Sequence, residues 1–139
     1  MLLHEEGALY MLQTAFSEED TVPANFYLGL CADTLVIGDG LADILNEPST
    51  GSYARIAVAS SDVGFVTATV TGTGAKFTVP EVEFTPSGAS WADIDTVFLA
   101  TTVDNTGLLI ASWSREAAAT VADGIPFKPS EVMTLRNPV

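Results

Sequence analysis

Enzymatic chemistry needs a nucleophile beside a base, or carboxylates held at a working distance, and this chain has little of the first and much of the second. Its 139 residues include one histidine, His4, and one cysteine, Cys31, against 18 aspartates and glutamates. Acyl transfer of the Ser-His-Asp or Cys-His kind requires a base oriented against the nucleophile. His4 stands in the opening Met-Leu-Leu-His with no nucleophile motif around it, so no catalytic residue is assigned. A zinc centre fails on the same shortage of Cys and His.

The acids offer two groupings. Asp93 and Asp95 would point to one side of a strand, a spacing that suits paired-carboxylate hydrolysis, although acids opening a strand are more often solvated. Asp39, Asp43 and Glu47 would share a face if their segment formed two helical turns. They lack the Asp-x-Asp-x-Asp-Gly spacing of a calcium loop and read first as a solvated acidic face. Thr71-Gly-Thr-Gly has no following lysine and helix, so it is a turn and not a phosphate loop. Tyr27, Tyr53, Trp91 and Trp113 could form a stacking platform for a sugar. For Trp113, inside an apolar run, core packing is the stronger reading. No metal and no cofactor is implied.

Those 18 acids face only 5 lysines and arginines, for a net charge of −13. Such a field repels phosphate backbones and anionic membranes, and the cations do not cluster into a basic footprint. Direct nucleic-acid contact is not expected, nor is a membrane span, since no apolar run approaches ~20 residues. Acids stand where a signal peptide needs cations, and a lone cysteine suits a reducing compartment, so folding in a cytoplasm is expected. Hydrophobic residues make up 47% of the chain and charged ones 17%. A chain that apolar often keeps some hydrophobic surface for a partner.

The elements that must position these residues are mostly strands. Residues 2–16 predict a short amphipathic helix with Leu9, Leu12 and Phe16 on one face beside Ala8 and Ala15. Those three could close the domain's own core or meet a partner. The acids Glu18-Glu19-Asp20 and then Pro23 end the helix and open a connector.

From Phe26 the period becomes two: Phe26, Leu28 and Leu30 alternate with Tyr27, Gly29 and Cys31, predicting a strand with one face buried. Further strands are expected at Tyr53–Ser60, Phe65–Val70, Lys76–Val79, Glu81–Phe84 (an edge or bulged strand, because of Pro80), Glu116–Val121 and Glu131–Arg136. The strongest signal is the pair of runs Ile94–Thr101 and Leu108–Trp113, apolar on both faces and joined by Asp104-Asn105-Thr106-Gly107. About eight short strands and one helix predict an all-β fold: an antiparallel β-sandwich, jelly-roll-like, with a short N-terminal helix. The expected organisation is one domain over 1–139, with 1–22 as helical segment and connector and 23–139 as the sandwich. Trp91, Phe98 and Trp113 are its expected core anchors.

The order and spacing of several pieces carry a family likeness. They are the helical opening followed by Phe-Tyr-Leu-Gly-Leu at 26–30, Gly-Ser-Tyr-Ala-Arg-Ile-Ala-Val at 51–58, and Phe84. After these come Trp91-x-x-Ile94 running into Val-Phe-Leu, Gly-Leu-Leu at 107–109 with Trp113, and Val-Ala-Asp-Gly at 121–124. In these the chain resembles small structural proteins of tailed bacteriophages, often labelled tail-fibre or decoration proteins, and is most similar to the capsid cement proteins among them. The resemblance implies a non-enzymatic virion component on the outer surface of the capsid, made in the host bacterial cytoplasm. Its implied partners are the major capsid protein and a further copy of itself. A tail, baseplate or fibre component with a receptor- or glycan-binding role is the alternative. The chain has no repetitive shaft or stalk of the kind a fibre needs. The candidate interface is Leu9, Leu12 and Phe16 together with Asp39, Asp43 and Glu47 on the 33–50 loop.

Overall fold

Residues that are apolar on both faces of a strand can be satisfied only by cover on both sides, and the fold is built around two such strands. The computed structural model describes residues 1–17, 20–61, 65–71, 74–129 and 132–136. Among them are strands β1 (Leu2–Leu3), β2 (Asn25–Cys31), β3 (Ile56–Ala59), β4 (Val66–Thr71), β5 (Gly74–Thr78), β6 (Trp91–Ala100), β7 (Leu109–Val121) and β8 (Val132–Arg136), and one helix, α1 (Glu5–Leu12). The protein is mostly β. Its larger sheet has five strands in the order β1-β7-β6-β2-β3, and a second sheet has three in the order β4-β5-β8. Every neighbouring pair in both sheets is antiparallel.

The hairpin β6–β7 is the one the sequence predicts, with Val97 opposite Trp113 and Leu99 opposite Ala111. On one face of the larger sheet, Leu28, Leu30, Val97, Leu99 and Trp113 join a core that includes Val58, Trp91 and Ile94. The alternate residues Cys31, Phe98 and Ala100 join Leu35, Leu41, Ile44 and Leu109 in a second core. Strand β2 was expected to bury one face; its last four residues are buried on both, because the 33–46 loop covers the second. Gly29 makes room there, since a Cβ at that position would run into the Phe98 ring paired with it. Burial pushes the Cys31 thiol up to about 12, so it sits in this core as a small hydrophobe. Trp91, Phe98 and Trp113 are buried, as expected of core anchors.

Several element boundaries differ from those the sequence suggests. The N-terminal helix does not begin at residue 2: Leu2 and Leu3 pair with Ser112 and Ala111 on the edge of β7, and α1 starts only at Glu5. A π-helical turn, Gln13–Ser17, extends it. Tyr53–Arg55 precede β3 and do not belong to it. Glu81–Phe84 forms no strand, only a bridge between Phe84 and Phe127. Glu116–Val121 is not separate but the far end of a thirteen-residue β7. The expected turn residues Gly72 and Thr73, the acids Glu18 and Glu19, and Glu131 lie outside the described residues.

Candidate docking surface

The chain enters the fold at an edge, and that entry decides which side of α1 faces inward. His4 donates its backbone N–H to the Ile110 carbonyl at 3.1 Å and sets Nε2 2.8 Å from the Ser112 hydroxyl. Its side chain is wholly buried. Burial lowers the imidazole's pKa below the usual value, against an upward pull from the Asp39 backbone and the charges of Asp39 and Glu6. Gly7 is pressed onto the backbone of Ile110, where a Cβ would strike the carbonyl. The Glu6 carboxylate accepts from the Leu109 N–H at 2.8 Å and the Leu41 N–H at 3.3 Å, tying helix, hairpin and loop together. Tyr10 enters the first core edge-on to Phe26.

With His4, Gly7 and Tyr10 inward, the opposite side of the helix is left to water. Leu9, Leu12 and Phe16 are 57%, 58% and 83% exposed. They do not close the domain's own core, which was one of their two expected roles. Glu5 occupies the same face one turn earlier, and its N–H bonds the Ile37 carbonyl at 3.1 Å. That contact brings the loop's exposed pair, Val36 and Ile37, to the start of the helix.

The acidic loop does not place its three candidates on one helical face. Between Asp39 and Glu47 there is a single 3-10 turn, Leu41–Asp43. Asp39 accepts from the Val36 N–H at 2.7 Å and Asp43 from the Gly40 N–H at 2.8 Å, each carboxylate closing its own local turn. Asp33, not singled out in the sequence, holds the far end by accepting from the N–H groups of Leu45 and Asn46. Among the described residues no three His, Cys, Asp or Glu side chains are grouped to hold a metal ion.

Glu47 is half-buried and its carboxylate is engaged within the chain. It forms a bidentate pair with Arg55, Nε to Oε1 at 3.0 Å and Nη2 to Oε2 at 2.6 Å. The guanidinium also donates to the carbonyls of Thr102 and Asp104 and to Asn105 Oδ1, and lies 5.0 Å from the Phe98 ring centre. Arg55 thus joins the 44–48 loop to the hairpin turn. Tyr53 completes the cluster. Its hydroxyl accepts from the Leu30 N–H at 2.7 Å and approaches Glu47 Oε1 at 2.8 Å. It serves a backbone group that β3 no longer reaches, since β3 ends opposite Leu28. Burial, with the Glu47 charge, raises the phenol pKa.

The aromatic platform does not assemble. Trp91 is buried with Nε1 bonded to the Thr50 carbonyl, Tyr53 packs between Phe84 and Trp91, and Trp113 is buried on β7. Tyr27 instead lines an open cleft of about 320 Å3 with Asn25, Thr101, Thr102, Asp104 and Thr106. Asp93 is exposed in a left-handed conformation (φ 56°) within an irregular stretch of β6, so strict alternation does not carry it to the side of Asp95. Asp95 accepts from the Thr34 hydroxyl at 3.3 Å. Among the described residues no helix is long and apolar enough to cross a membrane. Compared with known proteins, the chain matches no family model and no curated sequence.

Proposed function

We propose that this chain is a non-enzymatic capsid cement protein of a tailed bacteriophage, bound to the outside of the major-capsid lattice. The observation that carries the reading is the outward apolar face of α1, held on a helix whose other side is locked to β7. A protein that keeps two leucines and a phenylalanine in water while burying a histidine is built to meet another surface. The acidic exterior fits a place outside the shell, away from packaged DNA. The motif resemblance supports the same assignment.

In this reading the five-stranded and three-stranded sheets are the two layers of a jelly-roll-like sandwich. Each copy lies across a seam between capsid subunits, and many modest interfaces together resist the pressure of the genome. A dimer that staples neighbouring capsomers would use another surface, such as the edge of β3, whose outer side no described strand pairs. Quantitative staining of purified particles should find copies on the order of hundreds, and a few dozen or fewer would refute the cement role. Particles lacking the chain should assemble yet burst at lower temperature.

The cleft beside Tyr27 favours the second reading, a tail or baseplate component that binds a glycan receptor. Its lining sets an aromatic ring beside asparagine, threonine and aspartate, with Pro23, Ala24 and Val103 as apolar surface, a mixture suited to a sugar. Low copy number together with loss of host-glycan binding in Tyr27→Ala would support it.

A further inference from the structure

We infer that the outward face of α1 and its π-helical extension is a docking helix for an apolar groove rimmed by lysine and arginine on a different protein, and not for a second copy of this chain. The cement reading supplies that protein, a capsid subunit, and the inference rests on it to that extent.

Leu9, Leu12 and Phe16 follow the i, i+3, i+7 spacing by which helices seat anchors in a groove. Their support is rigid, because His4, Glu6 and Gly7 fix the inner side to β7 and the loop. Three side chains fall well short of the ~800 Å2 per partner of a standard interface, so they cannot alone hold two copies together. A larger partner can also cover Val36 and Ile37, which the Glu5–Ile37 hydrogen bond places at the start of the helix.

Charge selects between partners. Glu5 shares the face, and the exposed Asp43 stands on the loop tied to the helix through Glu6. The chain carries 18 acids against 5 cations, and of these cations Arg55 is paired with Glu47 and Lys128 lies between Glu81 and Glu83. A second copy would therefore meet this face with the same acidic excess, while a basic rim is complementary.

The test adds purified full-length chain to capsids stripped of it and measures co-sedimentation at low and high salt. The comparison is with the triple variant Leu9→Ser/Leu12→Ser/Phe16→Ser, whose folding is checked by its urea midpoint. Occupancy should fall at least tenfold in the variant, and unmutated binding should weaken as salt rises. If the variant binds as well as the unmutated chain, the docking helix is wrong and the cement role survives. If neither binds, the cement role falls and takes this partner with it. Unmutated binding that ignores salt overturns the basic rim. A self-association seen by ultracentrifugation and abolished by the triple variant would make the occupant a second copy, and so overturn the inference.

Discussion

The two faces of the N-terminal segment invert the usual partition of residue types. Toward β7 lie a histidine, a glycine and a glutamate carboxylate; toward water stand Leu9, Leu12 and Phe16. The same inversion recurs at the hairpin turn, where the buried Arg55 is fully engaged while Val103, between the two residues whose carbonyls it binds, is 58% exposed. Apart from Tyr10, what is fixed is polar or small, and what is free is large and apolar. The lesson is that backbone approach assigns burial here. Once Leu2 and Leu3 pair with β7, the helix must start within hydrogen-bonding range of Ile110, and only a glycine can occupy the first contact.

The comparison breaks if the fixed groups prove dispensable or the free ones indispensable. The largest effect is expected at Arg55→Ala, which leaves the half-buried Glu47 without its cation and two turn carbonyls without their donor. Urea unfolding should show a loss of about 3–5 kcal/mol, and a loss under 1 would mean the cluster does not hold the loops. Gly7→Ala comes next, and its sign is the informative part. In an open helix alanine would stabilise by about 1 kcal/mol, whereas contact with the Ile110 backbone should turn that into a loss of about 1–3.

A pH series isolates the histidine. Because burial lowers the His4 pKa, the folded state prefers the neutral ring, and its contribution is complete above the ordinary value of 6.5. Stability should decline as pH falls from 6.5 toward the lower folded value, by at most about 1.4 kcal/mol per pH unit. His4→Gln should remove that component and leave the carboxylate titrations. Identical pH profiles for the two proteins would show that His4 is not sequestered. The smallest effect belongs to the outer face: Leu12→Ser and Phe16→Ser should each change stability by no more than about 0.5 kcal/mol. A core-sized loss at either would mean that the outer face is structural.

The hairpin and its anchors were legible because nothing but a doubly covered strand explains Val97, Phe98 and Leu99 in succession. Strand β2 was legible from its alternation, though its second buried face was not, since the cover comes from a loop whose Leu35, Leu41 and Ile44 have no regular period. Strand β1 was invisible for a different reason. Two residues carry no periodicity, and what makes them a strand is a partner more than a hundred positions away, as the 108-residue separation of His4 and Ser112 indicates. The helix face was marked correctly as a stripe, but a stripe does not say whether it turns inward. The Glu47–Arg55 pair was missed because an ion pair between a loop and the start of a strand has no fixed spacing. The only local signal was an arginine placed directly before an apolar strand.

The pairing of β1 with β7 also sets a schedule for synthesis. Leu2 and Leu3 leave the ribosome more than a hundred residues before their partners Ser112 and Ala111. At about 5–20 residues per second, the opening segment waits several seconds with no edge to pair and with its apolar stripe already exposed. The β1–β7 pairing therefore joins residues synthesised far apart in time. A nascent chain cut short before Leu109 would carry α1 without the strand that anchors it.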